Sequence, residues 1–408
     1  MLRSVLPSVS PACLKLSVGC QRTHSNSSHF ADQIPATFLR GGTSKGIFLN
    51  RDQLPKDRTE WDSIFLRIMG SPDTANGLQI NGMGGGISSL SKICVVGSPS
   101  EEQRAQALDA EYTFVQVGIR DTVVDYAGNC GNLSSMVGPF ALQEGICTRE
   151  GSADRKTIRT FNTNTNSHIH TTFPVAAQNG RIVPNLDLPQ TSIPGVPGKA
   201  SLILLEFPSP GGARTGKLLP TGNSTDVINI PACPGIQIPA SLIDATNPAV
   251  FITQDGLSRV LGISPQSNIN YANLKVRKII ESIRTEAAVQ MGLDPSSQAQ
   301  PKIAVVSPPS SVDHNIAIHV LSMGVLHKAV PMTVGLCLSA AASIEGSVAW
   351  DIVRKSLLKK PTGDVTVTKM KHPSGIVEVH AEFGPGSVLK SVSVVRTGRW
   401  LMKGVVFH

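Results

Sequence analysis

Residues 128–141 read Gly128-Asn129-Cys130-Gly131-Asn132-Leu133-Ser134-Ser135-Met136-Val137-Gly138-Pro139-Phe140-Ala141. A polar turn runs directly into a stretch that is apolar yet built largely of small residues. Such a stretch suits a helix packed on all sides, because small side chains let neighbouring backbones come close. The sequence therefore predicts a buried helix over 132–142. A second stretch of this kind spans 327–343, and Met136-Val137-Gly138 has an echo there in Thr333-Val334-Gly335.

Strands surround the first helix. Thr37-Phe38-Leu39-Arg40, the turn Gly41-Gly42-Thr43-Ser44-Lys45-Gly46 and Ile47-Phe48-Leu49 read as strand, Gly-rich turn and strand. Residues 59–70 read as a helix, with Trp61, Ile64, Phe65 and Ile68 on one face. A second Gly-rich turn, Gly82-Met83-Gly84-Gly85-Gly86, leads through Ser88-Ser89-Leu90-Ser91-Lys92 into the apolar run 93–96. Further strands are expected at 112–117, 158–162 and 168–174.

A Pro-, Gly- and Gln-rich segment, 176–200, marks a crossover. Beyond it come a strand at 201–207, a polar loop at 211–223, an amphipathic helix at 274–291 and strands at 303–306 and 315–321. Segments 377–383 and 388–396 form a closing hairpin. The ordering predicts an α/β protein of two similar domains, 34–185 and 186–380, facing a shared cleft. Residues 381–408 supply closing strands that return to the first domain.

With 408 residues, 40% hydrophobic and 16% charged, the chain is neither disordered nor a coiled coil. No apolar run approaches the length of a membrane span. The net charge of +8 comes from scattered Lys and Arg hardly interleaved with aromatics, so nucleic acid is not an expected partner. The seven cysteines form no CxxC pair, which points to free thiols in a reducing compartment. Residues 1–31 contain Arg3, Lys15, Arg22 and many serines but no acidic residue, the composition of a mitochondrial transit peptide. A cytoplasmic chain with an unstructured tail over 1–33 is the alternative.

Nucleotide motifs fail. Lys45 is followed by Gly46 and Lys217 by Leu218, where a P-loop needs Ser or Thr; a dinucleotide turn at Gly82-Met83-Gly84 would need Gly or Ala at 87, where Ile stands. His314, His319, His327 and His372 lack metal spacing, and no GxSxG elbow surrounds Ser44, Ser89 or Ser91. The glycines still allow close backbone approach to a ligand, with bare N–H groups for an anion. Cys130, at the start of the predicted helix, is where unpaired N–H groups favour a thiolate or a carboxylate. Cys94, Cys233 and Cys337 read as packing or loop residues. Lys92 stands at the mouth of a turn beside a buried strand, where desolvation can turn an amine into a base. From the sequence alone the plainer reading of Lys92, and of Lys45, is an ordinary surface lysine.

The motifs taken together resemble the PrpF family of 2-methylaconitate and aconitate isomerases. They are Arg40 to Gly46, Gly84 to Lys92, Gly128 to Ala141 and Asn162-Thr163-Asn164-Thr165, followed by Leu219 to Asn223, Ile243 to Pro248, Ser322 to His327 and His372 to Gly375. The resemblance implies a diaminopimelate-epimerase-like fold and a cofactor-free isomerisation of a tricarboxylic alkene such as aconitate or 2-methylaconitate. It places the catalytic lysine on Lys92 and the active-site cysteine on Cys130. Thr43, Ser44, Lys45, Ser89, Gly131, Asn132, Met323 and Gly324 are then the expected substrate contacts. Leu90 departs from the threonine expected there. Met323 stands where the related epimerases carry a second cysteine, which disfavours a two-thiol mechanism. Some family members are described as accessory to an iron–sulfur aconitase-like dehydratase, so a maintenance role is the alternative class. An alkylated tricarboxylate from specialised metabolism is a further substrate, no membrane partner is expected, and a homodimer is left open.

Overall fold

The computed structural model describes residues 33–147, 154–297, 300–322, 325–327, 330–357 and 367–408. The transit-peptide reading of 1–31 and the expected contacts Met323 and Gly324 lie outside these residues.

The first half runs β1 (Gln33–Gly41), β2 (Ser44–Asn50), α1 (Trp61–Met69), β3 (Lys92–Gly97), α2 (Glu101–Ala105), β4 (Ala110–Val117) and β5 (Val124–Asp125). It continues with α3 (Gly131–Ser134), α4 (Val137–Gln143), β6 (Arg155–Asn162), β7 (Ser167–Gln178) and β8 (Arg181–Pro184). Alternation along each strand divides the core. Ile93 and Val95 of β3 pack with Trp61, Ile64, Phe65 and Ile68 of α1, whereas Cys94 and Val96 face the cluster around Phe140 and Ala141 of α4.

The second half comprises β9 (Ile203–Pro208), β10 (Asp226–Asn229), β11 (Gln237–Ala245), β12 (Asn247–Thr253), α5 (Gln254–Leu261) and α6 (Leu274–Gln290). Then follow β13 (Lys302–Ser307), β14 (Ile316–Ser322), β15 (Val325–Leu326), α7 (Met332–Ser343), α8 (Val348–Leu357), β16 (Val367–His372), β17 (Gly375–Phe383), β18 (Leu389–Arg396) and β19 (Gly398–Phe407). Ile279, Ile280 and Ile283 of α6 cover one face of β11–β13, and the buried helix α7 fills the other.

The pairing pattern occurs twice. β1–β2 is antiparallel, β2–β3 parallel, β3–β4 and β4–β5 antiparallel, β4–β6 parallel and β6–β7 antiparallel. The strands β11 to β17 repeat this sequence of pairings step for step. The halves are joined where β9 pairs with both β7 and β18, and where the last strand, β19, pairs with β1.

Two helix expectations need correction. The stretch 132–142 is not one helix: α3 ends at Ser134 and α4 starts at Val137. Pro139 has no N–H to give the Ser135 carbonyl, and its ring crowds that turn, so the helix breaks just before it. The second buried helix starts at Met332 rather than at 327, because Pro331 sets its first turn. The echo of Val137 in Val334 is also out of register, since Val137 lies six residues past the start of α3 and Val334 two past that of α7. Strands β10–β12 were not expected: β10 is only four residues long, and Pro239 and Pro248 interrupt the pattern of β11 and β12.

Candidate active site

Cys130 is the N-cap of α3. Its carbonyl accepts the first helical bond from Ser134 N at 2.9 Å, and the half-buried thiol donates to Ser44 Oγ at 3.8 Å. Below it, Tyr112 OH lies 2.8 Å from Ser134 Oγ and donates to Asn129 Oδ1 at 3.1 Å, fixing the turn from beneath. Asn132 Nδ2 donates to Thr43 Oγ1 at 3.0 Å and to Ser44 Oγ at 3.5 Å. Both hydroxyls are thus used as acceptors. Among the described residues neither has an acceptor for its own hydrogen, which is left for a ligand.

Lys92 opens β3 on the same face as Cys94, toward the helix start, and is 8% exposed. Its Nζ lies 5.0 Å from the centre of the Phe114 ring and donates to Gln116 Oε1 on the paired strand. Gln116 Nε2 in turn donates to the Ser91 carbonyl at 2.8 Å, so one carboxamide ties the lysine to the turn that precedes it. That turn is held from the other side by Gln79, fully buried at φ 56°, whose Nε2 donates to Ser91 Oγ at 2.7 Å. Burial pushes the Cys94 thiol well up, Cys130 beside it pushes the same way, and Lys92 opposes. The three groups therefore share one electrostatic patch.

The repeated pairing relates the two halves residue by residue. Lys92 pairs with Gln116 and Gln116 with Asp125, five residues before Cys130. In the second half Ile303 pairs with Leu321 and Leu321 with Leu326, five residues before Pro331. Ile303 and Leu321 face α6, however, whereas Lys92 shares the central-helix face with Cys94; on that face the start of β13 carries Lys302, on the side of Ala304 and Val306, so a lysine opens the matching strand of each half. Pro331, the N-cap of α7, stands in the second half as Cys130, the N-cap of α3, does in the first; Met323 lies outside the described residues.

The glycines do a different job from the one expected. A Cβ on Gly41 would lie 2.3 Å from the Asn132 carbonyl oxygen, and one on Gly42 (φ +52°) 2.3 Å from Asn132 Oδ1. The Gly-Gly pair admits the helix start of this chain, not a ligand. Gly42 N donates to the Thr397 carbonyl, Gly84 N to that of Met69 and Gly86 N to Gln79 Oε1. These N–H groups are spent inside the protein and do not form an anion cradle. Leu90 fills the space beside Gly85, and Ser89 is half-exposed on the turn next to Lys92.

Lys45 is not brought to the site. It lies on the face of β2 opposite Ser44, with Nζ 5.6 Å from the centre of the Phe38 ring. Gly131 is brought there: a Cβ on it would be 3.4 Å from Met332 Cβ, so the starts of α3 and α7 touch. Two residues were missed. Gln116 carries a signal only once it is known to pair with Lys92. Arg396, buried at the end of β18, reads in sequence as one more basic residue in a strand, although its Nη2 contacts Met332.

Two sheet-wrapped helices meeting end to end, with Lys92 and Cys130 on the inner face of the first half, define an isomerase of the diaminopimelate-epimerase-like fold. Residues 31–408 match the PrpF protein family, and the chain belongs to it. It is 34% identical to the 3-methylitaconate isomerase of Eubacterium barkeri, over 92% of this chain and 97% of that protein. Identity to the 2-methyl-aconitate isomerase of Shewanella oneidensis is 33%, over 92% and 96%. The crystal structure of a methylitaconate-delta-isomerase superposes with a TM-score of 0.77 at 31% identity, covering 92% of this chain and 95% of that one.

Proposed function

We propose that this protein isomerises a tricarboxylic alkene of the aconitate or 2-methylaconitate type, without a cofactor, by allylic proton transfer. The observation that carries this reading is the convergence of Lys92, held by Gln116, and Cys130, the N-cap of α3, on the one patch around Cys94. Lys92 Nζ takes a proton from the CH₂ beside the double bond. The C–H electron pair spreads into a dienolate, which lowers the double-bond character where the geometry changes. Return of the proton to the same carbon after rotation gives the cis–trans isomer; return at the far allylic carbon shifts the double bond. Cys130 Sγ is the second group in reach of that step. Thr43 and Ser44 donate their free hydroxyl hydrogens to carboxylate oxygens, with Gly131 and Asn132 shaping the contact.

The relatives act on different acids at nearly equal identity, so identity does not select the substrate. The test is proton NMR of residues 32–408 with cis-aconitate, trans-aconitate and 2-methylaconitate in D₂O. Interconversion with deuterium entering the allylic position supports the reading, and the fastest acid names the substrate. No conversion of any acid favours the accessory role beside an aconitase-like dehydratase. We also propose mitochondrial import directed by the basic, acid-free residues 1–31, tested by fractionation and N-terminal sequencing of the mature chain.

A further inference from the structure

Arg396 ends β18 at the crossing between the halves and is 4% exposed. A guanidinium keeps its charge and offers five N–H donors in a fixed fork. Here Nη1 donates to the carbonyl of the adjacent Val395 at 2.8 Å, and Nη2 lies 2.7 Å from the Met332 thioether, a weak acceptor. Nε has no partner among the described residues. Nε and Nη2 form one edge of the fork, the edge that meets a carboxylate with two parallel bonds. That edge therefore holds one sulfur and one open donor.

The surroundings supply no anion of the right kind. Among the described residues no aspartate or glutamate pairs with Arg396, and Cys130 is the one acidic group it senses. His372 is pushed toward the neutral form by burial and by Arg396 itself. A buried charge without a partner is strongly unfavourable, so a position like this calls for an anion from outside the chain. The place fits that need: Met332 is the first residue of α7 and touches the Gly131 position, next to Cys130.

We propose that the Nε–Nη2 edge of Arg396 binds a carboxylate of the substrate, and that the Met332 side chain occupies this edge until the carboxylate displaces it. This rests on the tricarboxylate reading above and adds to it the residue that sets the substrate's orientation. A carboxylate held there places the alkene across the junction of α3 and α7, with Cys130 beside it. The charge of Arg396 then also faces the dienolate as it forms.

The experiment uses propane-1,2,3-tricarboxylate, a saturated probe that cannot be turned over. Calorimetry compares its binding to the wild type and to Arg396→Lys, which keeps the charge and loses the fork. A tenfold or greater loss of affinity in the folded variant is expected, with a matching rise in KM for the fastest acid and a smaller change in kcat. Equal affinity in the folded variant, or no binding by the wild type, overturns the proposal. Should Arg396→Lys fail to fold, a crystal structure of the wild type with the probe decides. A carboxylate on Nε and Nη2 supports the site, and a probe bound elsewhere with that edge unfilled overturns it. Binding that depends on Arg396 with no acid converted would keep the site and remove the isomerase reading.

Discussion

Lys92 and Gln116 are cross-strand partners on β3 and β4, and the same Gln116 carboxamide holds the carbonyl of Ser91. The lysine is therefore fixed at both ends, its backbone by the strand and its amine by a side chain anchored to the preceding turn.

The first expectation concerns the two reactive groups. Lys92→Ala should remove turnover, by at least about 10²- to 10⁴-fold, the usual share of a general base. Cys130→Ala should leave a reduced but measurable rate. Near-normal turnover by Lys92→Ala in the NMR assay would sink the mechanism.

Gln116→Leu removes the carboxamide and keeps a side chain of similar size. Lys92 would lose its tether and the turn its brace. We expect kcat to fall about 10- to 100-fold, as a displacement of about 1 Å in a catalytic group does, with KM changed much less. A change confined to KM would instead make Gln116 a substrate contact.

Gly41→Ala puts a methyl group 2.3 Å from the Asn132 carbonyl oxygen. Backbone cannot give way as a flexible side chain does, so the loss of stability should be about 1–3 kcal/mol, with turnover falling as the α3 start shifts. Gly128→Ala meets nothing within 4 Å and should stay within about 0.5 kcal/mol of the wild type. Urea unfolding of both variants checks the contrast; equal losses would contradict it.

Alkaline pH should destabilise the fold through its buried thiols. Burial pushes the Cys94 and Cys337 thiols up from the ordinary range, so both stay protonated in the folded chain while unfolded thiols ionise. Their stabilising share is whole below about pH 8.5, the ordinary thiol pKa, and declines as pH rises beyond it. Urea unfolding at pH 7 to 10.5 should show Cys337→Ala with a shallower decline, by up to about 1.4 kcal/mol per pH unit. Parallel curves for variant and wild type would show that this thiol ionises equally in both states.

Much of the fold could be read along the chain because strands and helices differ in period. Thr37 to Leu49, the face of α1 and the run after Lys92 each follow their own period, and all three form where the pattern puts them. The break between α3 and α4 was visible too, in Pro139, but the apolar content of the stretch outweighed it. β11 and β12 stayed hidden because Pro239 and Pro248 interrupt their alternation, and β10 because four residues are too few to show one.

What the sequence determined by itself was the pair of central helices, the order of the strands and the prominence of Lys92 and Cys130, since these depend on local pattern and residue type. Tertiary structure alone decided which glycines face the chain instead of a ligand, which side of β2 Lys45 occupies, and that Pro331 is the counterpart of Cys130. It also brought Arg396, from the last strands, against Met332 at the start of α7. Such facts depend on register and on contacts between residues far apart in the chain, which no local period encodes.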